Sequence, residues 1–219
     1  LLERKINMKV AAIIATARKN GNVAQLAGQV LKGAEAGGHE TALLNLYDYE
    51  IKHCVGCWQC AKGPCVLRDD FPSVMARIED ADVVILGAPV YWGNIPGVMK
   101  AFFDRHTAVM EKPPDAADFC RLPTRLKIKA MLDQLKTFGP RRPLRGKRYI
   151  IVTACTVPTF FGYLKKDLSG ALLALKIYIG KMCGKPAGRI IYGDTLFRLN
   201  PRRKDRLMQK AYALGKKLA

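Results

Sequence analysis

Short apolar runs alternate with amphipathic stretches along most of the chain. Five of these runs have the length and content of strands buried on both faces; they cover residues 9–15, 41–46, 82–87, 148–155 and 188–192. Between them, apolar residues recur at intervals of three and four, which predicts helices; these begin near residues 22, 71, 97, 164 and 200. The pattern therefore predicts five successive strand–helix units.

Such regular alternation predicts a parallel sheet with helices on both faces. Five strands suit a doubly wound, flavodoxin-like α/β fold with strand order 2-1-3-4-5, which binds FMN at the carboxyl ends of its strands. We expect one domain over residues 1–219, with an N-terminal extension at 1–8. Residues 106–145 follow the third strand–helix unit and lack enough apolar residues for a core, so they are predicted to form a basic insertion or lid.

A compact group of cysteines follows the second predicted strand. Four of the seven cysteines lie within twelve residues, spaced C-x2-C-x2-C-x4-C; they are Cys54, Cys57, Cys60 and Cys65. Thiolates this close can hold the corners of a four-iron four-sulfur cluster. Zinc sites usually pair two C-x2-C units across a longer spacer, and disulfides between such neighbours would be strained. A loop of redox-active thiols without metal is the remaining interpretation.

The loop after the first strand has the groups that a phosphate needs. Thr16 offers a hydroxyl, Arg18 a cation and Asn22 an amide, and the start of the next helix contributes backbone N–H groups. Asn22 is also placed to cap that helix. An ordinary capped strand–helix turn would look similar, so this signal alone is weak.

A loop framed by proline and glycine follows the third strand. It supplies Tyr91 and Trp92, whose flat faces could lie against an isoalloxazine ring, and Gly93 would allow close backbone approach. The alternative is that these aromatic residues fill a core or an interface.

Charge divides the chain into two unequal halves. Residues 1–120 carry 13 basic and 14 acidic side chains, whereas residues 121–219 carry 24 and 4. Such asymmetry predicts an acidic protein partner, a nucleic acid or merely a solvated basic face. Nucleic acid is the less favoured partner, because the basic half lacks a recognisable nucleic-acid-binding motif.

The apolar segments favour a cytoplasmic protein without a membrane span. The first apolar run is shorter than a usual signal core, and the longest later one is interrupted by Lys176. An odd number of cysteines, seven, also suits a reducing compartment.

Together these motifs resemble the NADPH-dependent FMN reductase-like branch of the flavodoxin-like superfamily, and within it the iron–sulfur flavoproteins of anaerobic microbes. The resemblance is close over residues 8–105 and loose over 146–195. It is carried by residues 18–22, by the cysteine run with Asp69 and Asp70 behind it, and by residues 89–97 with Lys100, Asp104 and Arg105. The family's first loop usually reads G-S-P-R-x-x-G-N-[ST]; here Thr16 replaces the serine, and Val23 lacks the last hydroxyl.

The resemblance implies FMN, a four-iron four-sulfur cluster, and a homodimer or homotetramer. The cluster would be held by Cys54, Cys57, Cys60 and Cys65. The FMN phosphate would be held by Thr16, Arg18, Asn20, Asn22 and Val23, and the flavin ring by Pro89, Val90, Tyr91, Trp92 and Gly93. No side chain is predicted as a catalytic acid or base.

Three functions follow from these observations. The first is an FMN-dependent oxidoreductase that passes electrons between the cluster and FMN, with an acidic electron carrier such as a ferredoxin as partner. The second is a cluster-free FMN or quinone reductase with NAD(P)H as the donor. The third is a basic binding module for an acidic protein or nucleic acid.

Overall fold

The computed structural model describes residues 7–61, 63–106, 123–137, 146–164, 166–182, 184–195 and 201–218. Its five strands form one sheet and are β1 (Lys9–Ile14), β2 (Glu40–Asn45), β3 (Val83–Pro89), β4 (Arg148–Ala154) and β5 (Lys185–Tyr192). They lie in the order β2-β1-β3-β4-β5, and every neighbouring pair is parallel. The predicted doubly wound, flavodoxin-like topology is therefore confirmed.

Helices cover both faces of this sheet. The described helices are α1 (Asn22–Ala36), α2 (Phe71–Asp80), α3 (Gly97–Asp104), α4 (Thr124–Thr137), α5 (Thr159–Leu164), α6 (Asp167–Lys181) and α7 (Pro201–Lys216). Successive strand residues point to opposite faces: Ile13 packs in the core with α2, α3 and α6, whereas Ile14 packs in the core with α1 and α7. Two hydrophobic cores thus hold the sheet between them.

The helices α1 and α7 cross with their backbones in close contact. A side chain at Gly33 would collide with the carbonyl oxygen of Tyr212, and one at Gly215 with the carbonyl oxygen of Val30. Because only glycine permits this approach, the two helices pack as one layer. The first turn of α1, which follows the loop after β1, packs on the sheet through the buried side chain of Val23.

Three predicted boundaries differ from the structure. The helix expected from residue 164 to 182 is α6, which begins three residues later, after Lys166 in a left-handed conformation with φ of 64°; the short helix α5 before it was not predicted. Strand β5 begins at Lys185, three residues earlier than predicted. The prediction missed these residues because the first half of the strand is partly exposed and lacks an apolar pattern. Helix α1 is capped by Gly21 without a side-chain hydrogen bond, so the predicted cap by Asn22 is wrong.

The predicted insertion is described only in part. Residues 107–122 and 138–145 lie outside the described residues, while the amphipathic piece between them is the helix α4. Its Leu126, Ile128 and Leu132 side chains are about half exposed. The role of this segment as a lid, and the assignment of the chain to one domain, stay predictions. Among the described residues, no helix has both the length and the apolar content for a membrane crossing.

Candidate flavin cleft and cysteine loop

The loop after β1 is fixed by a side chain that sequence reasoning missed. Asn45, the last residue of β2, donates from Nδ2 to the Thr16 carbonyl oxygen at 2.8 Å, and its Oδ1 accepts the Thr16 N–H at 3.2 Å. Thr16 itself is buried. Because one amide side chain satisfies both backbone groups, the chain leaves the sheet at a defined position. A lone asparagine at a strand end carries no motif that could have revealed this role.

A tight turn leads from this loop into α1. The Gly21 N–H donates to the Arg18 carbonyl oxygen at 2.8 Å, and a Cβ at Gly21 would lie only 3.0 Å from that oxygen. No side chain caps the helix, and its first turn contains no acidic residue. The N–H groups of a first helical turn lack intrahelical acceptors, which makes this end of α1 suitable for an anion. Arg18 lies exposed beside it.

The loop after β3 ends in a rigid two-residue turn. Tyr91 and Asn94 exchange both backbone hydrogen bonds, at 2.8 and 2.9 Å. Trp92 and Gly93 between them have φ of 48° and 72°, as a type I′ turn requires. The carbonyl oxygen of Gly93 packs so closely on Gly170 of α6 that a side chain there would collide with it. The turn therefore holds the Trp92 side chain fully exposed at its tip.

These loops line an open cleft at the carboxyl edge of the sheet. Of the ten residues predicted to bind FMN, seven line it: Thr16, Arg18, Asn22, Val23, Pro89, Val90 and Tyr91. Asn20, Trp92 and Gly93 do not line it. Five lining residues were not predicted: Gly21, Ala154, Cys155, Thr156 and Thr195.

Four of the five missed residues come from the ends of β4 and β5, and the fifth, Gly21, lies in the loop after β1. The Thr195 Oγ1 and N–H both donate to the Cys155 carbonyl oxygen, at 3.0 and 3.2 Å, and the Cys155 N–H donates to the Tyr192 carbonyl oxygen at 2.9 Å. These bonds join the loops after β4 and β5 into one wall. Their position directly after two predicted parallel strands was the signal that could have found them.

The cysteine loop follows β2 at the same edge of the sheet. Cys54 and Cys57 are exposed thiols, and Cys60 and Cys65 are half-buried ones. Burial raises the pKa of the Cys60 thiol, and the nearby Cys65, Cys54 and Cys57 raise it further, so the four groups interact electrostatically. Among the described residues, no three His, Cys, Asp or Glu side chains are arranged to hold a metal ion.

A buried ion pair joins the two ends of the cysteine loop, Lys52 and Asp69, at the root of the loop. Arg105, immediately after α3, binds the Asp69 carboxylate through both Nη atoms, the Nη2–Oδ1 distance being 3.2 Å. The Arg105 Nη1 also donates to the Lys52 carbonyl oxygen at 3.2 Å, and Nη2 donates to the Cys65 Sγ at 3.5 Å. Asp69 in turn accepts the Lys52 N–H at 2.8 Å. The residues on both sides of the cysteines are thus joined through one guanidinium.

Burial and charge shift the pKa values of Asp69 and Arg105 in opposite directions. Burial tends to raise the pKa of Asp69, but the Arg105 guanidinium and the Lys52 N–H outweigh it and hold that pKa below its usual range. Burial likewise tends to lower the pKa of Arg105, and Asp69 and Cys65 reverse this. Both side chains are therefore charged, although almost no part of either is exposed.

The donor set at the loop fits an iron–sulfur cluster. Four thiols on one short loop supply the ligands that such clusters take. The buried Nε of Arg105 finds no acceptor in the described part of the chain, and the same guanidinium contacts the Cys65 sulfur. A cluster would bring sulfide acceptors for N–H donors of this kind.

Next to Arg105, His106 sits in an aromatic cluster beneath the loop. Its Nδ1 lies 2.8 Å from the Phe102 carbonyl oxygen, and its Nε2 lies 2.7 Å from the Tyr178 hydroxyl. Since only a ring N–H can pair with the carbonyl, Nδ1 carries the proton and Nε2 accepts from Tyr178. Complete burial lowers the pKa of His106 to about 4, with the Phe102 and Phe103 carbonyls opposing the shift.

Comparisons with known proteins agree with this geometry. The chain is 38% identical over 98 residues to an iron-sulfur flavoprotein from Archaeoglobus fulgidus, covering 45% of this chain and 48% of that protein. It is 35% identical over 99 residues to one from Methanocaldococcus jannaschii, covering 45% and 51%. The aligned regions thus span about half the length of these curated relatives.

Structural similarity extends further than the sequence alignments. An NAD(P)H:quinone oxidoreductase from Methanothermobacter marburgensis superposes with a TM-score of 0.73, over 98% of this chain and 100% of that one. At 14% identity this likeness establishes the fold alone. The family model described as NADPH-dependent FMN reductase matches residues 8–117, which include the loops after β1, β2 and β3. The chain belongs to the NADPH-dependent FMN reductase family.

Proposed function

We propose that this protein is an FMN-dependent oxidoreductase that passes electrons between a four-iron four-sulfur cluster and FMN. The observation that carries the proposal is the placement of a four-cysteine loop at the same sheet edge as a cleft that presents Arg18 and an uncapped helix N-terminus. The names of the iron-sulfur flavoproteins to which the chain is similar support the cluster. The family description supports the flavin.

In this proposal the chain's residues bind and orient the cofactors. Arg18, Thr16 and the first N–H groups of α1 hold the FMN phosphate, with Asn20, Asn22 and Val23 around it. Pro89, Val90 and Tyr91 line the ring side, with Trp92 and Gly93 in the turn beside it. Cys54, Cys57, Cys60 and Cys65 would ligate the cluster. When bound, these cofactors supply the redox chemistry, so no catalytic acid or base is required of the protein.

Anaerobic purification followed by cluster reconstitution tests this proposal. We expect a brown protein whose absorption spectrum shows flavin and iron–sulfur bands, with about four iron and four sulfide per chain. The replacement Cys57→Ser should remove the iron and leave the flavin, whereas Cys120→Ser, outside the cysteine run, should change neither. Flavin without iron in the reconstituted wild-type protein would refute the cluster.

A second function is favoured by one specific observation. The family description names an NADPH-dependent FMN reductase and no cluster. A cluster-free enzyme would be yellow rather than brown and would oxidise NAD(P)H with FMN or a quinone as acceptor. A colourless protein would instead indicate a binding module on this fold.

The electron partner proposed for the basic half is an acidic carrier such as a ferredoxin. Exposed basic side chains recur on α7 at intervals of four, at Arg202, Arg206 and Lys210. Exposed charges of one sign accelerate encounter with an oppositely charged partner, and salt screens them. Reduction by a ferredoxin should therefore slow steeply with salt, and changing these three residues to Gln should flatten that dependence. The basic segment around Arg141, Arg142 and Arg145, also predicted to contribute, lies outside the described residues.

The predicted homodimer or homotetramer is retained as part of the proposal. Large apolar side chains on α5 and α6 are more than half exposed, among them Leu164, Leu173 and Ile177. A second copy of the chain would remove such a surface from water. Sedimentation of the purified protein should give a mass of two or four chains, and a monomer would contradict this prediction.

A further inference from the structure

Arg105 makes more contacts than an ion pair alone requires. Its side chain is 1% exposed, and burying a guanidinium is costly unless the charge is paired and its donors are satisfied. Asp69 supplies the countercharge. The same guanidinium nevertheless also reaches Lys52 O and Cys65 Sγ, so its position serves the loop as well as the pair.

The contacts lie at both ends of the cysteine run. Lys52 stands two residues before Cys54, and Asp69 stands four residues after Cys65. Phe71, the first residue of α2, packs its ring beneath the guanidinium, with the Arg105 Cζ 4.8 Å from the ring centroid. The guanidinium is thus held by carboxylate, carbonyl and aromatic ring. One of its N–H groups is left directed at a cysteine sulfur.

We propose that Arg105 is a positioning residue for the cluster, fixing the place of Cys65 and donating a hydrogen bond to its sulfur that raises the reduction potential. This inference rests on the proposed function, because it requires that Cys65 be a ligand. It assigns Cys65 a different electrostatic environment from the exposed Cys54 and Cys57.

The sign of the effect follows from the charge of the cluster. Reduction adds negative charge, which spreads over the iron and the sulfurs. A donor to a ligand sulfur is therefore bonded more strongly in the reduced state, and hydrogen bonds to sulfur are among the groups that set cluster potentials. Loss of the donor should lower the potential.

Two variants separate the hydrogen bond from the charge. In Arg105→Gln combined with Asp69→Asn, both charges are removed, so no buried charge is left unpaired. In Arg105→Lys the positive charge stays, but the single ammonium is drawn to Asp69 and loses the second arm that reaches Cys65. The control is Lys100→Gln, which removes one exposed positive charge from the same helix, α3.

Each reconstituted protein is examined by circular dichroism, by iron and sulfide counts and by an EPR-monitored redox titration. We expect both Arg105 variants to remain folded and to be reduced less readily than wild type. The reduced-to-oxidised ratio at a fixed potential should fall about tenfold, which is about 59 mV for a one-electron couple. The Lys100→Gln potential should match wild type.

The outcomes distinguish the two proposals. A wild-type protein without iron would overturn the cluster and this inference together. Wild-type iron content with unchanged potentials in both Arg105 variants would overturn this inference alone. An unchanged potential in Arg105→Lys alone would overturn the role of the hydrogen bond, because the positive charge would then be enough to set the reduction potential. Folded variants that bind less iron, with a lowered potential for what they retain, would support the positioning role.

Discussion

The cleft and the cysteine loop lie at the same edge of the sheet, yet their backbones are held in different ways. The cleft loops are tied by backbone bonds, such as Gly21 to Arg18 and Val90 to Ala154, and by Asn45. The cysteine loop is joined mainly at its root, through Arg105 and Asp69, and most of its residues are exposed. We infer that the cleft is preformed, whereas the cysteine loop depends on the buried Arg105–Asp69 pair and on exposed hydrogen bonds between Glu50 and Asp70.

The largest expected effect comes from breaking that pair. In Asp69→Ala the Arg105 guanidinium stays buried without its countercharge, which should lower the free energy of unfolding by about 3–5 kcal/mol. Urea denaturation measures the change. Replacing both partners, as Asp69→Ala with Arg105→Met, should restore much of the stability, because an apolar pair leaves no unpaired charge.

The same variants test the comparison between the two regions. The double replacement should bind FMN like wild type and hold iron poorly, because it spares the cleft and opens the root of the loop. Equal loss of FMN and iron would mean that the two regions are not independently supported.

A pH titration should show the next largest effect, through His106 beneath the loop. Its folded-state pKa is about 4, below the ordinary value of about 6.5. Acid therefore protonates the unfolded chain first, so stability should fall from about pH 6.5 down to about 4, by roughly 3 kcal/mol for this one residue.

The variant His106→Gln isolates this contribution from that of the carboxylates. Its amide can still donate to the Phe102 carbonyl and accept from the Tyr178 hydroxyl, but it does not titrate. Urea unfolding over this pH range should show a shallower acid loss for the variant. Parallel curves for the two proteins would show that His106 is not held neutral in the folded state.

A smaller effect is expected in the cleft from Arg18→Ala. A hydrogen bond to a charged group contributes about 1.5–3 kcal/mol, so FMN binding should weaken about ten- to a hundredfold while unfolding is unchanged. Flavin fluorescence titration measures this affinity. Riboflavin, which lacks the phosphate, should lose little; an equal loss for both ligands would place Arg18 elsewhere.

The smallest effect serves as the control for Arg18. Lys19 is the next residue and forms an exposed pair with Asp48 at 3.4 Å. Exposed pairs of this kind contribute about 0–1 kcal/mol, so Lys19→Gln should leave both stability and FMN affinity close to wild type. A loss of FMN as large as that of Arg18→Ala would indicate that the general charge of the loop matters, rather than one contact.

The sequence predicted those parts of the molecule that depend on local pattern. Apolar runs located all five strands, and loops directly after β1 and β3 gave Thr16, Arg18 and Tyr91 of the cleft. Thr195 was missed, although it closely follows the predicted strand β5, because no motif marks the loops after β4 and β5. Helix α5 was missed because its six residues are too few to show a helical apolar pattern.

The root of the cysteine loop could not be predicted from pattern either. Asp69 and Arg105 are separated by 36 residues and belong to different strand–helix units. Both carry the family resemblance, but nothing in the sequence indicates that they form a pair. Their burial follows from packing against Phe71 and from the position of α3, which only the assembled fold determines.

The turn that exposes Trp92 has a practical consequence for spectroscopy. The chain contains two tryptophans, and the other, Trp58, is exposed on the cysteine loop. Each region therefore carries its own fluorophore. Trp58→Phe leaves emission from the turn beside the cleft, and Trp92→Phe leaves emission from the cysteine loop, so flavin binding and iron loading can be followed as separate optical signals.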